Sequence, residues 1–149
     1  MINDAKLAED RAEGAKMVAA GFSREDADEL VACGLTLAKV LKNMMTCKTP
    51  CEVEACVSPS ARNAKMVAAA AKIADAVFEE FMETEGKLCE AMASRHSTGD
   101  EILPEDLNLQ WREKQLEYCK AKETLVGLIK ALPQGDFDEF ARRLVASRR

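Results

Sequence analysis

The chain has 149 residues, a net charge of −5, 48% hydrophobic residues and 32% charged residues. These values are typical of a single globular domain over residues 1–149, and the low content of proline and glycine excludes a disordered or sandwich-like chain. The absence of a concentrated basic segment argues against binding to nucleic acid. Aromatic residues make up only 5%, so the core has to be built mainly from Ala, Leu, Val and Met, which favours helices over sheets.

The N-terminal segment carries no apolar stretch of the kind found in a signal peptide. No run of the sequence approaches the roughly 18 apolar residues that a membrane-spanning helix needs. We therefore expect a cytoplasmic protein with no membrane association. Its six cysteines are then expected to be thiols or metal ligands more often than disulfides.

The first half of the chain predicts two helices and a connection. Asn3 is placed to cap a helix over 4–20, which ends at Gly21. A Ser cap followed by acidic residues starts a second helix over 24–45. The segment 46–58 loses helical periodicity and gathers three cysteines, so we expect a loop with at most one helical turn.

The second half predicts three further helices. A cap and a proline open a helix over 59–94, which carries two apolar stripes and is expected to be central. A turn over 95–104 leads to a helix over 105–132, and a short helix follows over 137–147. The predicted fold is an all-α bundle of four or five helices, mostly antiparallel because the connections are short. The second stripe of the long helix consists of Met66, Ala70, Ile73 and Val77.

Three cysteines, Cys47, Cys51 and Cys56, lie together in the 46–58 connection and are the candidates for metal or redox chemistry. Their spacing lacks the two tight ligand pairs of a structural zinc site. Inert thiols, a disulfide or redox pair, and a metal site all remain open at this point. The other three cysteines fall within or beside apolar stripes and are expected to be protected core residues: Cys33, Cys89 and Cys119.

Catalytic motifs give weaker signals. His96 is the only histidine and falls in the 95–104 turn, so a solvated turn residue is the favoured interpretation. Helical carboxylates in small all-α nucleotide hydrolases hold magnesium, and Glu80 with Glu83 gives one such spacing. A second pair, Glu25 with Asp28, is better explained as the start of a capped helix. We expect no cofactor, and the magnesium-dependent hydrolase remains an alternative.

The segment KMVAAGFSREDADELVACG resembles the first two helices of a ubiquitin-associated domain, with Gly21-Phe22 as the loop between them. The resemblance implies a protein-binding module whose helix breaks at Gly34, although the following LTLAKVL comes two residues sooner than in the family. The segment is also similar to a helix-turn-helix, in which Leu30 stands where an alanine is expected. Each resemblance covers less than a quarter of the chain.

The helix over 105–132 carries two apolar rows on different sides. One row contains Leu107, Trp111 and Tyr118, and the other contains Leu109 and Leu116. A helix at the edge of a bundle gives only one side to its own core, so the other row is expected to contact a partner. Which row faces outward cannot be read from the sequence.

The predicted function is therefore a helical module for protein interaction or self-assembly, such as an adaptor, inhibitor or assembly factor, without catalytic activity. Its partner is expected to be another protein or a second copy of the chain. A thiol- or metal-binding protein built on the 46–58 connection is the first alternative, and the magnesium-dependent hydrolase is the second.

Overall fold

The computed structural model describes residues 4–98 and 105–148. All regular structure in these ranges is helical, which confirms the predicted all-α class, and there are seven helices where four or five were expected. They are α1 (Asp4–Ala19), α2 (Arg24–Ala32), α3 (Leu37–Cys47), α4 (Pro50–Glu54), α5 (Ala64–Thr98), α6 (Glu105–Lys130) and α7 (Gln134–Ala146).

The predicted second helix is divided into α2 and α3, which meet at an angle of 99°. Gly34 adopts a positive φ of 78°, a conformation that glycine takes without steric cost. The N–H of Leu35 then donates to the carbonyl of Leu30 at 3.1 Å, as in a helix C-terminal Schellman turn. The hydroxyl of Thr36 caps α3 by accepting from the N–H of Lys39. The break that the ubiquitin-associated resemblance implies at Gly34 is thus present.

The cysteine-containing connection is more helical than predicted. Helix α3 continues to Cys47, and α4 begins at Pro50, a favoured residue for the first turn. The hydroxyl of Thr49 caps α4 by accepting from the N–H of Glu52 at 3.4 Å. Cys47 and Cys51 therefore lie on two different helices.

The long helix is displaced toward the C-terminus relative to the prediction. Residues 59–63 form turns, so α5 begins at Ala64, and it continues to Thr98. The predicted turn over 95–104 is therefore helical in its first four residues, and 99–104 lies outside the described residues. His96 lies on this helical part, and its side chain also lies outside what is described.

The buried core is formed by the N-terminal helices, α7, the beginning of α5 and the end of α6. Each of the seven helices contributes a fully buried side chain: Met17, Ala27, Leu41, Val53, Val67, Leu125 and Phe140. By contrast, none of the side chains described from 75 to 94 and from 106 to 124 is buried. We call these two segments of α5 and α6 the arm.

Aromatic contacts and one ion pair join the two helices of the arm. The rings of Phe78 and Tyr118 are 5.0 Å apart, and those of Phe81 and Trp111 are 5.9 Å apart. Lys114 of α6 donates to a carboxylate oxygen of α5 at 2.8 Å. The arm is therefore a packed helix pair with its own small aromatic cluster.

Within residues 4–98 and 105–148 no individual helix has the length and apolar character of a membrane span, and only the bent pair of α2 and α3 meets those criteria jointly.

Candidate functional site

The row of Leu107, Trp111 and Tyr118 faces α5. All three side chains are half-buried, and the two aromatic rings contact Phe78 and Phe81. The indole Nε1 of Trp111 is buried and has no hydrogen-bond acceptor among the described residues. Trp111 and Tyr118 therefore hold the arm together, and none of the three half-buried side chains forms an open surface.

The opposite row is exposed. Leu109 and Leu116 of α6 each keep 58% of their surface accessible. Cys119, which the sequence assigns to the same row, is exposed as well. Of the two predicted rows, this one is the outward row, and we call Leu109 and Leu116 the outer row.

A second exposed apolar surface lies on one side of the α5–α6 pair. Met66 and Ile73 are 58% and 62% exposed, which contradicts the expectation that this stripe of the long helix is buried. They border a depression of about 420 Å³, which we call the groove. Its lining consists of Met66, Ala69, Ala70, Ile73, Ala121, Thr124 and Leu128.

Other parts of the α5–α6 pair are covered by the α3–α4 region. The ammonium group of Lys122 donates to the carbonyl oxygens of Thr46 and Lys48. The carboxylate of Asp75 accepts from the N–H of Cys51 at 3.2 Å. The pair therefore has polar anchors to α3 and α4 and, at the groove, an apolar surface in contact with solvent.

The signal that could have found the groove is the spacing of its largest residues. Met66 and Ile73 are seven residues apart, so they lie on the same side of α5. That side differs from the one that carries Phe78 and Phe81 toward α6. The sequence shows both stripes. It does not show that, among the described residues, Met66 and Ile73 of the second stripe are left exposed.

The sequence predicts reactive, accessible thiols in the 46–58 connection and protected ones at Cys33, Cys89 and Cys119, and the exposure differs from this at four of the six positions. Cys33, Cys89 and Cys119 are exposed and are not core residues. Cys56 is only 6% exposed, and its Sγ contacts the carbonyl oxygen of Glu52 at 3.5 Å. Cysteine is small and appears on both sides of an apolar stripe, so its position beside a stripe did not determine its burial.

The cysteines of the connection do not form a metal site. No group of three or more His, Cys, Asp or Glu side chains in residues 4–98 and 105–148 is arranged to hold a metal ion. Cys56 points into the core, whereas Cys47 and Cys51 are exposed.

The carboxylates considered for magnesium have other partners. Glu80 accepts from Lys114 at 2.8 Å, Glu83 lies 3.7 Å from an ammonium group in the next turn of α5, and Asp28 pairs with Arg24. Glu83 and Asp28 therefore take part in ion pairs within their own helices, and Glu80 takes part in one between α5 and α6.

The Gly21-Phe22 loop is covered by the end of the chain. A Cβ on Gly21 would lie 3.6 Å from the side chain of Val145 in α7. The guanidinium group of Arg148 lies 4.6 Å from the ring centroid of Phe22, which is 5% exposed. Phe22 is therefore buried beneath α7 and Arg148, whereas Gly21 is exposed.

Comparison with known proteins identified no similar protein. No protein-family model matches the chain, and neither curated proteins nor solved structures gave a match. The interpretation of the exposed surfaces therefore rests on their own geometry.

Tyr118 provides a test of the packing in the arm. Burial, assisted by the negative charges of Asp75 and Cys119, raises the pKa of the Tyr118 hydroxyl. It is the only tyrosine, so tyrosinate absorbance during a pH titration reports on it alone. We expect a midpoint above the value of about 10 for an exposed tyrosine, and a shift back toward it in Asp75→Asn.

The raised pKa of Tyr118 also makes the stability of the fold depend on pH. Because the pKa is higher in the folded state, this contribution to stability is complete below about pH 10 and is lost as the pH rises through the folded pKa. Unfolding in urea should therefore become easier at alkaline pH. Identical midpoints in native and urea-unfolded protein would show that Tyr118 is not packed against α5.

Proposed function

We propose that the protein is a cytoplasmic, single-domain helical module for protein interaction or self-assembly, with no catalytic activity of its own. It associates through the α5–α6 pair with a protein partner or a second copy of the chain. The observation that carries the proposal is the groove, in which Met66 and Ile73 are both more than half exposed.

The proposal includes an antiparallel arrangement of α5 and α6. The contacts support it, because Phe78 and the later Phe81 meet Tyr118 and the earlier Trp111 respectively. Two antiparallel helices with an open apolar side correspond to half of a four-helix bundle. Another helix pair laid on the groove would remove large apolar side chains from water, which is the main driving force for association.

The composition of the groove suits a protein surface. Its lining combines three alanines and Thr124 with the larger Met66, Ile73 and Leu128. Small residues let a neighbouring helix approach closely, and methionine adapts to side chains of different shapes. A contiguous apolar surface of this kind usually marks a binding site in a protein that folds in water. The outer row adds a second, smaller apolar contact on α6.

The proposal is tested by charge substitutions on each surface. We expect Met66→Asp with Ile73→Asp to weaken association by about 2 kcal/mol or more, roughly 30-fold in the dissociation constant, because an apolar anchor is replaced by a carboxylate that has to be desolvated. Leu109→Asp with Leu116→Asp tests the outer row in the same way. Sedimentation over a range of concentrations measures self-association. Binding to isolated partner proteins measures association with a different protein.

A matched control comes from α1, where Leu7 and Val18 are 39% and 40% exposed. Leu7→Asp with Val18→Asp introduces the same charges away from the α5–α6 pair and should leave association unchanged. Circular dichroism should show unchanged helix content in all three double variants. A wild-type protein that stays monomeric at high concentration and binds no protein would contradict the proposal.

A further inference from the structure

The groove presents large and small side chains next to each other. On α5 the large Met66 and Ile73 lie on either side of two alanines, and on α6 Ala121 and Thr124 precede the large Leu128. Helices pack closely when the large residues of one fill the spaces above the small residues of the other. A partner for the groove should therefore offer small residues to Ile73 and a large residue to the alanines of α5.

The contacts within the pair show which residues of α5 and α6 are level with each other. Lys114 Nζ lies 2.8 Å from a carboxylate oxygen of Glu80, and the ring contacts of the arm agree with this level to within two residues. In the antiparallel arrangement, equal steps before Glu80 and after Lys114 keep residues level, because the rise per residue is the same. Seven residues on, Ile73 is therefore level with the small Ala121.

Lys72 flanks the groove on the outer side of α5. Successive residues are about 100° apart around a helix, so Lys72 and Ala74 lie on opposite sides of the groove residue Ile73. Ala74 is buried and comes one turn before Phe78, which contacts α6. The side that carries Ala74 therefore faces α6, and Lys72 lies on the side turned away from it. Lys72 is exposed and has no ion pair among the described residues.

Glu123 has the corresponding place on α6. It precedes the groove residue Thr124, which the buried Leu125 follows. Leu125 comes two turns after Tyr118, which contacts α5, so Glu123 lies on the side turned away from α5. Glu123 is exposed, and it too is without an ion pair in the part of the chain that the structure describes. The two outer edges of the groove thus carry opposite charges, of which the cation is on α5.

We propose that a second copy of the chain closes the groove, turned by 180° about an axis parallel to the helices. This inference rests on the proposed function and selects self-assembly from its two cases. The rotation keeps every residue at its level and lays α6 of each copy on α5 of the other. All neighbouring helices are then antiparallel, as in a four-helix bundle with an isologous two-fold contact. Ile73 meets the small Ala121 of the other copy, and Leu128 meets the alanines of its α5.

The same rotation brings opposite charges together at both edges of the bundle. Lys72 of each copy comes beside Glu123 of the other, because the two residues are within one position of the same level. The contact occurs twice in the dimer, once on each side of the axis. Two groups that are unpaired in the single chain therefore gain partners, which favours a second copy as the occupant of the groove.

One pair of like charges opposes this association. Lys65 comes seven residues before Lys72, and Lys130 comes seven residues after Glu123, so they lie on the same outer edges. Both are exposed, and the rotation places each beside the other across the contact. A carboxylate in place of one of them should therefore strengthen the dimer, although it makes the net charge of the chain more negative.

The first test reverses the charges of the attractive pair, with the dissociation constant of the dimer measured by sedimentation at low salt. Lys72→Glu and Glu123→Lys should each weaken the dimer about tenfold, because a surface ion pair is replaced by a repulsion at two places. A mixture of the two variants restores both attractions and should associate about as tightly as the wild type. The two substitutions combined in one chain should do the same.

The second test uses the repulsive pair. Lys65→Glu should tighten the dimer about fivefold, and its carboxylate in the first turn of α5 also suits the helix dipole. Lys39→Glu on α3 makes the same change in net charge away from the groove and should leave association unchanged. Circular dichroism should show the same helix content in every variant.

A carbodiimide cross-link locates the contact directly. In dimers mixed from nitrogen-15-labelled and unlabelled protein, Lys72 should be joined to Glu123 of the differently labelled copy. Dimers that Lys72→Glu does not weaken, or that mixing does not restore, would overturn the inference. A chain that stays monomeric but binds a different protein through Met66 and Ile73 would overturn it and leave the proposed function standing. A chain that does neither would contradict both.

Discussion

Replacing Phe140 by alanine is expected to cost about 3–5 kcal/mol of the free energy of unfolding, the range for a buried phenylalanine. Phe140 lies on α7 and is fully buried in the core. Removing its ring loses apolar contacts. It also leaves a cavity, because the neighbouring side chains relax only partly. Since domains of this kind are stable by about 5–15 kcal/mol, the variant should unfold at a much lower urea concentration. Circular dichroism during urea titration measures the change.

Phe137 gives the matched control, because it is the same residue type on the same helix but only half-buried. Phe137→Ala should cost clearly less than Phe140→Ala. Equal losses would mean that burial on α7 does not follow the described core and that α7 packs in another orientation.

Replacing Trp111 by alanine should loosen the arm and leave the core folded. Trp111 packs on Phe81 but is half-buried, so the loss should be below the roughly 3–5 kcal/mol of a fully buried aromatic residue. The effect should be local because no side chain described in the arm belongs to the buried core. Amide hydrogen exchange should therefore accelerate in the arm and stay slow around Val67 and Leu125.

Trp111→Phe separates packing from hydrogen bonding. It keeps an aromatic ring and removes the buried Nε1, which has no acceptor among the described residues. Removing an unsatisfied donor offsets part of the lost contact area, so this variant should cost much less than Trp111→Ala. For Trp111→Ala, equal acceleration of amide hydrogen exchange in the arm and in the core would contradict the conclusion that the arm unfolds separately from the core.

The helical class and most of the helices were predictable because apolar periodicity and capping residues are local signals. Apolar periodicity did not predict the division between α2 and α3, which only the ubiquitin-associated resemblance implied, because the apolar pattern continues through the bend into Leu37, Leu41 and Met45. A lone glycine inside a helical pattern is usually tolerated. Here the turn at Gly34 ends α2 and the Thr36 cap starts α3. The packing of α3 on the core then determines that the helix is divided.

The candidate site was predictable only in part. The two rows of α6 follow from helical spacing, but their orientation depends on Phe78 and Phe81, which belong to another helix. The exposure of Met66 and Ile73 likewise depends on where the other helices pack on α5, which local sequence spacing does not encode.

The position of α7 over the Gly21-Phe22 loop also affects how the chain can fold during synthesis. Val145 and Arg148 cover a loop that is made more than 120 residues earlier. The contacts of the arm, in contrast, join residues closer in the sequence and form as soon as α6 is complete. On the ribosome, Phe22 and the surface around it therefore stay uncovered until α7 emerges. An early segment is thus completed only after α5 and α6 have been made.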